Sequence, residues 1–82
     1  MSEEKIIILL SVLSQIENDD SVPKNVKTRI KNAIGALSEK DKCVEVRIDK
    51  ALEELSEVDN DQNISPYTRT QIWNVVSALE EK

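Results

Sequence analysis

The 82-residue sequence has no histidine and no phenylalanine, and it holds one cysteine, one glycine, one tryptophan and one tyrosine. Without histidine, Cys43 has no imidazole to activate it, which removes Cys–His catalysis and the commonest zinc ligand. A lone cysteine also excludes an intramolecular disulfide and suits a reducing compartment. Gly35, Pro23 and Pro66 are too few turn formers for an all-β fold. With Trp73 and Tyr67 as the only aromatics, any core must be aliphatic. The apolar run Ile6–Leu10 is far too short to cross a bilayer. Ser2-Glu3-Glu4 is too acidic an opening for a signal peptide, so we expect a soluble cytoplasmic chain with no membrane partner. Basic excess is missing as well. Net charge is −5, so there is no overall electrostatic footprint for nucleic acid.

What the chain does have is a repeat. A shift of 42 residues aligns its halves without a gap. Thr28, Ile30, Asn32, Ala36, Leu37, Glu39 and Lys40 fall on Thr70, Ile72, Asn74, Ala78, Leu79, Glu81 and Lys82. Glu3, Ile6, Leu10, Leu13, Ser14, Asn18 and Asp19 fall on Glu45, Ile48, Leu52, Leu55, Ser56, Asn60 and Asp61. Chance would match about one position in fifteen, so the halves are copies of one unit. We take residues 1–82 as one helical-bundle domain, with repeat 1 at 1–40 and repeat 2 at 43–82.

Each copy reads as two helices around a loop containing Asn-Asp. Ile6, Leu9, Leu10, Leu13 and Ile16 have helical spacing, as do Val26, Ile30, Ala33, Ile34 and Leu37. In the second copy, Val44, Ile48, Ala51, Leu52, Leu55 and Val58 repeat the pattern, followed by Ile72, Val75, Val76 and Leu79. Ser65-Pro66 is a helix start, with Ser as N-cap and Pro in the first turn, and Ser21 with Pro23 is expected to act similarly. Asn18 and Asn60 stand where a left-handed residue would end a helix. The expected fold is all-α: a four-helix up-and-down bundle of two tandem hairpins with an internal pseudo-two-fold.

Differences between the copies are where specific roles would show. Lys24, Lys27 and Lys31 line one flank of the second helix, and Asp49, Glu53 and Glu57 one flank of the third. In antiparallel register they would pair as Lys24–Glu57, Lys27–Glu53 and Lys31–Asp49. The same relation would set Trp73 against Ile7, making Trp73 a structural residue. Ile8 and Val12 correspond to charged Lys50 and Glu54. Two readings stand for this pair: burial under polar neighbours, or an exposed stripe that seeks another chain.

Other motifs fail. Asp59-Asn60-Asp61-Gln62-Asn63 imitates a calcium loop, but Ile64 replaces the turn glycine and Thr70 the bidentate glutamate. Glu17-Asn18-Asp19-Asp20-Ser21 is no better, and solvated loops are the simpler reading. Asn63-Ile64-Ser65 is a glycosylation sequon that a cytoplasmic chain would not use. Gly35, inside a helix, reads as a close-packing position. We expect no metal site, no cofactor and no catalytic residue, since no nucleophile and base come together.

The segment from Thr68 to Glu80, with Asn18-Asp19 and Val22-Pro23, resembles an uncharacterised family of short archaeal proteins. The resemblance spans nearly the whole chain. It implies a small four-helix bundle of archaeal origin, and brings no activity, cofactor or site residue with it. From the residues themselves, the leading expectation is a non-catalytic module that binds a protein partner or forms a weak homo-oligomer, with Ile8 and Val12 as its contact. The alternative is an accessory RNA or translation factor that meets phosphates through Lys24, Lys27 and Lys31.

Overall fold

In the computed structural model, residues 3–58 and 64–81 are described. They form four helices of 15 residues each: α1 (Glu3–Glu17), α2 (Lys24–Ser38), α3 (Val44–Val58) and α4 (Pro66–Glu80). There are no strands among the described residues. The all-α four-helix bundle expected from the spacing is the fold observed.

The core repeats as the sequence does. Nine positions in repeat 1 are buried: Ile6, Leu9, Leu13, Ile16, Val22, Val26, Ile30, Ala33 and Leu37. Shifted by 42, every one lands on a buried residue: Ile48, Ala51, Leu55, Val58, Ile64, Thr68, Ile72, Val75 and Leu79. Each helix contributes a single apolar stripe, as helical spacing requires. Val22 and Ile64 extend the stripes into the loops and close one end of the bundle.

The two copies do not pack equally. The backbones of α2 and α3 run close together over much more of their length than those of the equivalent pair, α4 and α1. Side-chain size at the seam accounts for this. Ala33 on α2 and Ala51 on α3 are fully buried and small enough to allow close approach, whereas their buried equivalents Val75 on α4 and Leu9 on α1 are larger. Ala stands at a position where a larger side chain would cost overpacking.

Helix ends follow local chemistry. The Ser65 hydroxyl accepts the Thr68 N–H at 3.2 Å, and Pro66 occupies the first turn. Thr68 sits in the seam where repeat 1 has Val26, and its hydroxyl is satisfied by Ser65 at 3.1 Å. Repeat 1 starts differently from expectation. Pro23 itself is the N-cap of α2 and makes no side-chain cap bond. Ser21 instead turns back, donating from its N–H and its hydroxyl to the Asp19 carboxylate at 2.9 and 2.7 Å. The exit of α1 also differs. No described residue has a positive φ; Asn18 and Asp19 donate their N–H groups to Ser14 and Ile16 carbonyls, so a tightened last turn replaces the left-handed cap. Asn60 and the calcium-like run from Asp59 to Asn63 lie outside the described residues.

Gly35 is not a close-packing position. A Cβ added there would meet nothing within 4 Å, because the residue faces an open groove between α2 and α3. Gly35→Ala should therefore raise stability by about 0.8–1 kcal/mol, the helix-propensity difference. Urea unfolding checks it: an unchanged or lowered midpoint would mean the groove is filled.

Candidate functional site

The neighbouring flanks of α2 and α3 are the opposite ones from those expected. Arg29 Nη1 lies 3.0 Å from Glu54 Oε2, and the Asn32 side chain donates to the same oxygen at 3.4 Å. None of the pairs Lys24–Glu57, Lys27–Glu53 or Lys31–Asp49 forms an ion pair among the described residues. Lys27 reaches Asp20 at 3.8 Å, while Lys24 and Lys31 extend into solvent. An apolar seam is compatible with either turn of the bundle, and the flank contacts show which turn is taken.

Applying the 42-residue shift to Arg29–Glu54 gives Gln71–Val12 at the α4–α1 interface. The structure bears this out: Val12, Gln15, Ile16, Asp19, Tyr67, Thr68 and Gln71 line one hollow of about 160 Å³. Val12 is half-buried there against the core. Ile8, one turn earlier, is 63% exposed. Trp73 and Ile7 are also mostly exposed, so neither is shielded as the sequence led us to expect.

The flank contacts define two equivalent outer faces of the bundle. Across α2 and α3 run Asn25, Thr28, Arg29, Asn32, Gly35 and Ala36, with Lys50, Glu53, Glu54 and Glu57 opposite. Across α4 and α1 the same positions hold Tyr67, Thr70, Gln71, Asn74, Ser77 and Ala78, with Ile8, Ser11, Val12 and Gln15 opposite. The first set carries five charges and the second none, in a chain of which 33% is charged. On the second face Ile8, Ser11, Gln15, Tyr67, Thr70 and Asn74 are exposed, and Val12, Gln71, Ser77 and Ala78 half-buried. The centre of this face is thus uncharged and apolar at Ile8, Val12 and Tyr67, with charge only at its ends, in Asp19 and the Lys5–Glu81 pair.

The sequence reading missed Arg47. It is 3% exposed and, among the described residues, is the one buried residue without a buried repeat equivalent, its counterpart being Lys5. Its Nε donates to the Leu37 carbonyl at 2.9 Å, a second donor from Nη2 reaches the same oxygen, and Nη1 meets Glu3 Oε1 at 2.7 Å. A guanidinium at the carbonyl end of α2 satisfies a terminal acceptor and complements the helix dipole. The planar fork joins α1, α2 and α3 in a way an ammonium cannot. The only signal for it in the sequence was an Arg at a position where the other copy has Lys.

The Arg47 hydrogen bond holds the Glu3 carboxyl below its ordinary value of 4.5, outweighing partial desolvation, with the charges of Arg47 and Lys40 adding to it. Asp19 is likewise lowered, first by the Ser21 hydroxyl and then by the Ser21 N–H. Neither arrangement is reactive. Arg47 is engaged by Glu3 and Leu37, and Asp19 by a serine with no base beside it. Among the described residues no three His, Cys, Asp or Glu side chains converge to hold a metal ion. No helix of the described residues is long and apolar enough to cross a membrane.

Arg47→Lys, which copies the other repeat, should destabilise by about 1–3 kcal/mol through the under-satisfied Leu37 carbonyl; chemical unfolding with no loss would remove Arg47 from its structural role. A second expectation concerns pH. Because Glu3 is lowered in the folded state, its stabilisation is present above its unfolded value and fades as pH falls through the folded one. The stability gap between wild type and Glu3→Gln should be constant near neutrality and close in acid. A gap that widens on acidification would contradict the Arg47–Glu3 contact.

Comparison with known proteins agrees with the four-helix fold. No curated protein matches the chain. A crystal structure of an unknown-function protein, MMP1188, superposes with a TM-score of 0.94 at 34% identity, over 100% of this chain and 93% of that one. A family match covers residues 1–81. The chain belongs to the uncharacterised protein family UPF0147.

Proposed function

We propose that the protein is a non-catalytic helical interaction module whose contact surface is the outer face of α1 and α4. The observation that carries this reading is the contrast between two equivalent faces of one duplicated fold. Copies of a unit begin alike, and a purely solvated helix face is normally rich in charge. The α2–α3 face is of that kind. On the α1–α4 face the ten equivalent positions carry no charge, with Ile8 and Tyr67 open to solvent. Depletion of charge with exposed aliphatic and aromatic side chains is the composition of the centre of a protein interface. Among the described residues the hollows gather no nucleophile–base pair, which favours binding over catalysis. An RNA-contacting role for Lys24, Lys27 and Lys31 draws less support, since Lys27 is paired with Asp20 and net charge is −5.

Photo-crosslinking in the native cell tests the surface. A benzoylphenylalanine replacing Ser11 or Asn74 should give discrete protein adducts, and one replacing the equivalent Glu53 or Asn32 should give few. Adducts confined to the α2–α3 positions, or absent from both faces, would sink the reading.

A further inference from the structure

We infer that the occupant of the α1–α4 face is a second copy of this chain, joined about a two-fold axis. This rests on the reading of that face as a contact surface and goes on to say what meets it. In a two-fold interface the same patch is used twice: a group at the axis meets its own image, and away from it residue i meets j while j meets i. At the axis a charge would meet a like charge. A hydroxyl or a carboxamide suits either place, because each both donates and accepts hydrogen bonds. The polar groups among the ten positions are all of this kind: the amides Gln15, Gln71 and Asn74 and the hydroxyls Ser11, Thr70 and Ser77. Its apolar members, Ile8, Val12 and Tyr67, are also compatible with themselves.

Charge argues the same way. A basic partner would be drawn to the carboxylates of this chain of net charge −5, and this face has them only at its two ends, Asp19 beside the hollow and Glu81 paired with Lys5. Two copies of net charge −5 repel each other overall, which favours contact through a surface poor in carboxylates. The α2–α3 face concentrates Glu53, Glu54 and Glu57 beside Lys50, whereas the ten equivalent α1–α4 positions hold none. The area of the α1–α4 face is also suited to a pair. The bundle measures 33 by 20 Å along and across, so one face covers roughly 500 Å² per copy and a dimer would bury about 1,000 Å² in total, the size of weak and reversible complexes.

Sedimentation equilibrium of the full chain over micromolar to millimolar concentration is the test. Wild type should fit a reversible monomer–dimer equilibrium. Ile8→Lys with Val12→Glu and Gln71→Arg transplants the Arg29–Glu54 pair and Lys50 onto this face. It should keep its helical circular dichroism while the dimer dissociation constant rises at least tenfold. Since Val12 is half-buried, a second variant guards against misfolding: Ser11→Glu with Gln15→Glu alters only exposed positions and should have the same effect. A wild type that stays monomeric at millimolar concentration would overturn the proposal, as would a dimer that both variants leave unchanged. Crosslinking at Ser11 separates the two levels of the argument. An adduct of twice the 9.3 kDa chain mass supports the second copy. Adducts only with a different protein overturn it while leaving the contact surface, and no adduct overturns both.

Discussion

The close approach of α2 and α3 is the constraint on which the rest of the bundle depends. Ala33 and Ala51 permit it, and three polar devices reinforce it. Arg47 reaches from the first turn of α3 to the last carbonyls of α2, while Arg29 and Asn32 share the Glu54 carboxylate halfway along. These two helices belong to different repeats, so their contact is what joins the hairpins. Surface ion pairs contribute about 0–1 kcal/mol each; the alanines decide the spacing, and the charges select the flank. The outer helices α1 and α4 then close the seam with bulkier Leu9 and Val75, at a wider separation.

That asymmetry links packing to the proposed role. In a perfectly duplicated bundle both outer faces would serve the same purpose. Here the α2–α3 interface is tied halfway along by Arg29 and Glu54 and exposes charge, whereas the α1–α4 interface has its ion pair, Lys5–Glu81, at one end. The latter has exchanged Arg29 and Glu54 for Gln71 and Val12, and Lys50 for Ile8. The ten paired positions thus hold five charges on one side and none on the other, the contrast on which the proposed contact surface rests. The Arg47–Glu3 contact stands at the bundle end, away from the hollow formed by Tyr67 and Gln71, and holds the start of α1 against its neighbours.

Most of the architecture was legible in the sequence, because a 42-residue repeat and a 3.6-residue apolar period both survive single substitutions. The nine paired seam positions follow directly from those two periods. The turn of the bundle did not follow, for a physical reason: the same apolar stripes can close with either flank adjoining the next helix. The Lys24–Lys27–Lys31 and Asp49–Glu53–Glu57 stripes looked complementary, yet the flank of Arg29 and Glu54 is the one that meets. The same ambiguity misplaced Trp73 and Ile7, and left Ile8 and Val12 divided between core and interface. They turn out to be divided themselves, Val12 half-buried and Ile8 open. Arg47 was illegible because a single Arg gives no sign of which carbonyl it will find. Gly35 misled because a glycine within a helix can mark close packing or mere open space.

Native-state hydrogen exchange tests the central claim about α2 and α3 most directly, since it reports the opening free energy of each helix separately. The account predicts that the mid-helix amides of α2 and α3 exchange only through global unfolding. Those of α4, which packs least extensively against its neighbours, should open at a distinctly lower free energy. Equal protection across all four helices, or α2 and α3 opening before α4, would contradict it.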